Sequence, residues 1–318
     1  DGSQVDEGLR SLSGPIYSQS ILGSFGAQRM IHNAMELRKT RNFEHGTDVW
    51  AQPFGGRAYG KNSDDSYSNR VVGLAFGAET KNDNLRYGVD FAAAHYSLSS
   101  SPSSGTFRGK GVWGGGHVST DGTVTTATSL MVGFLDGKTK RHLNIGSFQQ
   151  SCKSTGLQYS LYLSSKVGLP LQLTENSTFK PIVGAAWEHI YMPSRNEKGS
   201  AAAKLNWRHG NFNSFALKGG FELSHNFLTQ EKSQGSVYVQ SFYERELLNR
   251  AGRLSGSLNG LQGSFSKSVD WDSKNRWTTA VGASYRSGPF SVKASLATEV
   301  KPSHGTSVFG SLKLTRTF

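Results

Sequence analysis

From Asp48 to its last residue the chain alternates apolar and polar side chains in segment after segment. Phe215, Leu217, Gly219, Phe221 and Leu223 interleave with Lys218, Gly220, Glu222 and Ser224, and Phe290, Val292, Ala294 and Leu296 with Ser291, Lys293 and Ser295. Successive side chains of a strand point to opposite faces, so each segment has one apolar face and one polar face. The final segment follows the same rule. Phe318, Arg316, Leu314, Leu312, Gly310 and Val308 share one face, and Thr317, Thr315, Lys313, Ser311 and Phe309 the other. A last strand ending on an aromatic residue fits the closing strand of an outer-membrane barrel, with Leu312, Leu314 and Phe318 on its lipid face.

Twelve such segments are predicted, near residues 47–60, 69–80, 85–99, 105–119, 123–138, 154–172, 178–192, 213–228, 234–247, 275–287, 289–300 and 306–318. Most reach the ~9–11 residues that a tilted strand needs to cross hydrocarbon. The connections alternate in length. Residues 81–84, 120–122, 173–177, 229–233 and the turn at Gly288 are short; 139–153, 193–212 and 248–274 are long; 61–68, 100–104 and 301–305 are modest. Short turns on one side and long loops on the other are expected of an outer-membrane barrel, whereas a soluble sandwich has no reason to obey that parity. The expectation is an all-β, 12-stranded antiparallel transmembrane β-barrel, with the long loops extracellular and Phe318 on the periplasmic side.

Composition agrees once its averaging is understood. The 318 residues are 36% hydrophobic and 18% charged, with a mean hydropathy of −0.45. No run approaches the ~18–20 apolar residues of a membrane helix, but lipid-facing and lumen-facing residues cancel in a barrel strand. The 38 glycines sit inside strand-like runs (Gly55, Gly56, Gly73, Gly77) as well as in turns, which suggests close backbone approach within a lumen. The lone Cys152 reads as a free loop thiol. The net charge of +12 is scattered, so a lumen or an anionic-lipid surface explains it and no nucleic-acid partner is expected. Residues 1–8 are polar and acidic, without a signal peptide; since a barrel must be exported, the chain reads as the C-terminal piece of a longer precursor.

One segment has a helical period, about 14–41. Ile16, Ile21, Phe25, Met30, Ile31, Ala34, Met35 and Leu37 recur at spacings of three and four, with Arg29, Arg38, Lys39 and Arg41 gathered late. Some 27 residues at 1.5 Å each would reach ~40 Å, about a bilayer with its headgroups. The chain is thus divided into residues 1–12 as linker, 13–42 as a pore-lumen helix and 47–318 as the barrel. On the presumed lumen faces stand Arg86, Asp90, Lys166, Lys180, Lys218, Glu222, Glu244 and Lys293, expected to pair with one another or with the helix, or to face water near the ends.

Other chemistry is set aside. Gly109, Gly111 and Gly114 spell GxGxxG within a strand-like run rather than between a strand and a helix, and no metal spacing, HExxH or GxSxG occurs. No cofactor and no metal are expected. An outer-membrane phospholipase or protease barrel and a porin-like channel are the alternatives; neither accounts for a pore-length helix ahead of the first strand.

Leu12, Ser13 and Gly14 opening the helix, Leu37 and Arg38 near its end, Val49, Trp50, Ala51 and Gln52 with Gly55 and Gly56 in the first strand, and the terminal Phe318 carry a resemblance. In this order and spacing, over residues 9–318, the chain resembles the translocator domain of autotransporters (type V secretion). Arg316 departs from the aromatic that such chains carry two residues before the end. The resemblance implies an outer-membrane barrel through or beside which an N-terminal passenger reaches the cell surface, with the helix left in the lumen as tether and plug. It also implies outer-membrane lipid, the barrel-assembly machinery and periplasmic chaperones as partners, and a monomer. Some relatives cut themselves inside the barrel after an asparagine of this helix. Asn33, followed by Ala34, stands at the comparable place, with Glu222, Glu244 and Asp90 as candidate acidic helpers.

Overall fold

Strand periodicity becomes a closed cylinder. The computed structural model describes residues 13–36, 45–62, 65–101, 105–145, 148–199, 203–230, 233–260, 262–302 and 305–318. One helix, α1 (Pro15–Glu36), comes first. The barrel strands are β1 (His45–Asn62), β2 (Asp65–Asn82), β3 (Leu85–Ser101), β4 (Gly105–Thr120), β5 (Thr125–Ile145), β6 (Phe148–Gly168), β7 (Ser177–Met192), β8 (Gly210–Gln230), β9 (Ser233–Glu246), β10 (Asn275–Ser287), β11 (Phe290–Lys301) and β12 (Gly305–Thr317). Each pairs antiparallel with the next. β6 joins β7 from Tyr159↔Tyr191 to Gly168↔Ile182, and β12 joins β1 from Asp48↔Thr317 to Ala58↔Ser307, so the sheet closes on itself. Closure satisfies backbone groups that lipid could not. Among the described residues no helix is long and apolar enough to cross a membrane.

The two faces separate as the alternation requires. Leu74, Phe76, Val89, Phe91, Val132, Phe134, Leu312 and Leu314 are exposed on the outside, while Ala75, Asp90, Met131 and Lys313 of the same strands are buried inside.

The loop end differs from the expectation. Residues 139–153 are not a loop: β5 and β6 stay paired out to Ile145↔Phe148. Beyond the membrane no face has to be apolar, so the alternation fades although the backbone ladder continues. The segments 193–212 and 248–274 contain Arg195–Asn196, Leu205–Trp207, Arg250–Leu258 and Phe265–Asp270, which form a separate four-stranded antiparallel sheet over the loop-side mouth. Leu171–Thr174 adds a short strand beside β7. Cys152 is no loop thiol; it lies in β6, fully buried with Leu143 and against Ala203.

The helix starts where Gly14, at φ 62°, turns the chain and Pro15 supplies a preset first helical position. Its 22 residues span roughly 33 Å, against an apolar band of ~25 Å on a typical barrel. The expected stretch 37–42, with Leu37, Arg38, Lys39 and Arg41, and the linker 1–12 lie outside the described residues.

Candidate functional site: a lumen filled by one helix

A helix inside a barrel has no solvent face, and the sequence of α1 answers with two different flanks. From Pro15 to Met35 only Gly26, Arg29 and Asn33 are half-buried; the other residues are buried. The apolar flank (Ile21, Phe25, Ile31) joins one core with Phe54, Val71, Tyr96 and Leu98 of β1–β3. Its approach is close: a Cβ added at Gly23 would overlap the Tyr96 hydroxyl. On the wall, a Cβ at Gly77 would come within 2.6 Å of the Trp50 ring. Glycine therefore makes room for inward-facing aromatics.

The polar flank faces β6–β9. Ser24 donates to Gln158 Oε1 (3.0 Å), and Gln28 Nε2 donates to the Leu161 carbonyl (3.0 Å). Arg29 donates through Nε to Glu188 (2.5 Å) and through Nη2 to Ser214 (2.9 Å), with Glu246 at 3.9 Å. Ser214 donates onward to Glu246 (2.5 Å). The His32 ring lies 4.0 Å from that of Tyr162. Toward the turn end, Gln52 Nε2 donates to the Ala34 carbonyl (2.8 Å).

At the loop-side mouth, Tyr17 donates to Glu197 Oε1 (3.0 Å), and its hydroxyl lies 2.8 Å from Ser154 Oγ. Arg141 grips Glu197 with two hydrogen bonds (2.8 and 2.6 Å), both side chains fully buried. Trp207 of the four-stranded sheet packs on Tyr17, ring centroids 5.0 Å apart, and Trp271 packs on Phe25 at 5.2 Å. Asp272 accepts from Tyr67 and Lys301, each at 2.9 Å. Burial pushes its carboxyl up, but the Lys301 ammonium and the hydrogen bonds from Lys301, Tyr67 and the Ser273 amide outweigh that and hold it below the usual carboxylate range.

The turn-side half of the lumen contains a cavity of about 150 Å³. Seven of the eight charged residues singled out from sequence line it: Arg86, Lys166, Lys180, Lys218, Glu222, Glu244 and Lys293. Lys180 pairs with Glu222 (2.7 Å), Lys218 with Glu244 (3.1 Å), and Arg86 with Asp121 (2.8 Å). Asp90 stands apart, 2.9 Å from His117 Nδ1, whose Nε2 lies 2.7 Å from Glu79. Asn33 also lines the cavity, and the peptide joining it to Ala34 is within α1. Among the described residues no hydrogen bond joins Asn33 to Glu222, Glu244 or Asp90. Leu312, Leu314 and Phe318 face outward on β12 and beyond its end.

Sequence reasoning missed the Arg29, Glu188 and Glu246 cluster and the Arg141 and Glu197 pair. Grouped by sequence with the late cations of the helix, Arg29 still stands nine residues before Arg38, among apolar and small residues, and that separation is the signal it carries.

A family model described as the autotransporter beta-domain matches residues 49–297. A search of curated proteins gives no match. Among solved structures, the translocator domain of the autotransporter NalP from Neisseria meningitidis matches with a TM-score of 0.75 at 12% identity, over 94% of this chain and 98% of that one. The beta domain of the Bordetella autotransporter BrkA matches with a TM-score of 0.61 at 13% identity, over 86% and 100%. The transport unit of AIDA-I from Escherichia coli gives 0.54 at 14%, over 93% and 99%. At these identities the structural likeness concerns the fold.

Proposed function

The chain belongs to the autotransporter β-domain family, and from that premise we propose that its barrel exports an N-terminal passenger across the outer membrane of a Gram-negative bacterium and then anchors it through α1. The domain is an autotransporter translocator and not a known kind of enzyme. The observation that carries the anchoring role is the two-flanked seating of α1, apolar toward β1–β3 and hydrogen-bonded toward β6–β9. A helix satisfies its own backbone and needs only side-chain partners from the wall, which is how a single segment can rest at membrane depth.

The loop end faces outward in this reading. Two features support it: the alternation of short and long connections, and the position of Tyr17, in the first turn of α1, at the loop-side mouth. Outer-membrane lipid, the linked passenger, the barrel-assembly machinery and periplasmic chaperones are its partners, and the barrel acts as a monomer. A porin-like channel would leave the packing of α1 without purpose, and a barrel enzyme would not need it.

The test is surface display from intact cells. An epitope placed upstream of Asp1 should be shaved by added protease. A cysteine at Asn259→Cys, in the loop-side sheet region, should react with an impermeant maleimide, and one at Asp83→Cys, in a short turn, should not. An epitope that stays protected, or the reverse labelling pattern, would overturn the reading.

A second reading concerns Asn33, half-buried against the charged cavity. Attack of its side-chain amide nitrogen on its own backbone carbonyl would form a succinimide and release Ala34 as a new amino terminus. The membrane-inserted chain on a denaturing gel tests this: a fragment beginning at Ala34, absent from N33A, supports cleavage, and a band that stays full-length sinks it.

A further inference from the structure

Outside the barrel, cations stand opposite cations. Arg57 faces Arg70 across β1 and β2, Arg108 faces Lys138 across β4 and β5, and Lys140 faces Lys153 across β5 and β6. All six lie on the outward face, five of them exposed and Lys140 half-exposed. Like charges placed directly opposite in an antiparallel pair repel. None of the six has a carboxylate ion partner among the described residues; the outward acid Asp136 stands opposite Lys110 instead. Arg57 is held upright by donating to the Tyr59 hydroxyl (3.1 Å).

Their height is informative. Arg57, Arg70 and Arg108 are each twelve residues from His45, Asn82 and Thr120, the turn-side ends of their strands. At ~3.3 Å per residue and a ~40° tilt this is roughly 30 Å, just past an apolar band of ~25 Å. Leu74, Val112 and Phe134 lie below on the same faces, exposed and apolar. The cations therefore sit where hydrocarbon gives way to headgroups. At the loop ends of β8, β10 and β12 the outward residues include Asn213, Asn275 and Thr306, and Arg245 of β9, at the same height, faces Leu217 and Asn275 instead of another cation, so the facing pairs of cations belong to the β1–β6 side.

The geometry points to a binding site on the outer surface of β1–β6 for a glycolipid whose headgroup carries two phosphates, of the lipid A type. Facing residues of an antiparallel pair have Cβ atoms ~5 Å apart, close enough for two side chains to converge on one phosphate, and arginine grips phosphate with paired N–H groups. The Arg57 and Arg70 pair stands about three strand spacings, roughly 14 Å, from the Arg108 and Lys138 pair. A single phosphodiester cannot serve both, whereas a two-phosphate headgroup can. Naming the outer-leaflet glycolipid rests on the outward reading of the loop end.

Native mass spectrometry of the refolded full chain, released from detergent micelles, tests the site. The probes are bisphosphorylated lipid A, the same lipid with its phosphates removed, phosphatidylglycerol and inorganic phosphate. The wild type should retain one bisphosphorylated lipid A at least tenfold more than any other probe, and R57Q/R70Q/R108Q/K138Q should lose that retention at least tenfold. Equal retention by the variant overturns the proposal, as does equal retention of phosphatidylglycerol or of the dephosphorylated lipid. The dephosphorylated arm uses wild type alone, so it decides the matter even where the variant does not refold. Maleimide labelling at Asn259→Cys reports orientation separately, which keeps the two failures distinguishable.

Discussion

Arg29, midway along the lumen helix, donates to Glu188 on β7, and both are shielded from solvent. The contact fixes the rotation of α1, because Ser214 and Glu246 close the other side of the same guanidinium. Arg29→Ala would leave the buried Glu188 and Glu246 without the guanidinium that lies between them, with Arg276 as the remaining cation near Glu188. Removal of one partner from such a cluster costs about 3–5 kcal/mol. A lower thermal midpoint of the heat-modifiable folded band should report the loss, and Arg29→Ala with Glu188→Ala together should recover part of it. A midpoint unchanged by Arg29→Ala would show that the cluster does not hold the helix.

Withdrawal of α1 should open an anion-preferring pore. The turn-side cavity is lined by Arg86, Lys166, Lys180, Lys218, Arg286 and Lys293 against Asp121, Glu222 and Glu244, an excess of cations. Deletion of residues 1–42 should raise planar-bilayer conductance severalfold, with a reversal potential in a salt gradient displaced toward that of chloride. Conductance equal to that of the full chain would mean that α1 does not obstruct the lumen.

Gly23→Leu should displace the helix from β3, because even a Cβ meets the Tyr96 hydroxyl and Leu98. Overpacking of this kind costs about 1–3 kcal/mol. A thermal midpoint lowered in the full chain by this change checks the close approach.

Acid should loosen the loop-side clasp. The Asp272 carboxyl, held below its usual range by Lys301 and Tyr67, stabilises the folded chain above the unfolded carboxylate value of ~3.9. That contribution is lost as pH falls through the depressed folded value. Fluorescence of the adjacent Trp271 should therefore stay constant from neutral pH to about 4 and change only below it, with the low-pH change absent in Asp272→Asn. A transition near pH 6 would assign the control to another group.

On the lipid face, Val132→Arg should cost about 2–4 kcal/mol by the rule for charges near a bilayer midplane. Reduced folding yield into vesicles, with Lys313→Gln in the lumen as a milder control, checks the assignment of faces.

Much of this barrel is legible in its sequence, because lipid demands period-two alternation from every strand that crosses it. Val89, Phe91, Leu312 and Leu314 announce their faces by that alternation alone. The legibility stops where lipid stops. Beyond the apolar band the pairing of Ile145 with Phe148 needs only backbone, so residues 139–153 resemble a loop, and Cys152 with its polar neighbours gives no hint of burial. In the lumen, Phe54, Trp50 and Tyr96 face inward on strands whose inner face is expected to be polar. The helix they pack against supplies an apolar environment that no single strand reveals. The charged residues of the cavity were identifiable one by one, but the partner of each was not. Lys180 with Glu222 and Lys218 with Glu244 are joined by register across β7, β8 and β9, which sequence spacing does not encode.

The seam between β1 and β12 has a mechanical meaning. The chain passes from the helix into β1 at His45, and β1 is flanked along its length by β2 and, from Asp48 to Ala58, by β12. A pull on α1 toward the loop side that reached His45 would draw that end of β1 back along its own strand. The ladders with β2 and β12 would then open pair by pair from that end, not all at once in shear. The wall yields easily to such a pull, so the load falls on the seating of α1 itself, on Arg29 with Glu188, Gln52 with the Ala34 carbonyl, and Gly23 against Tyr96.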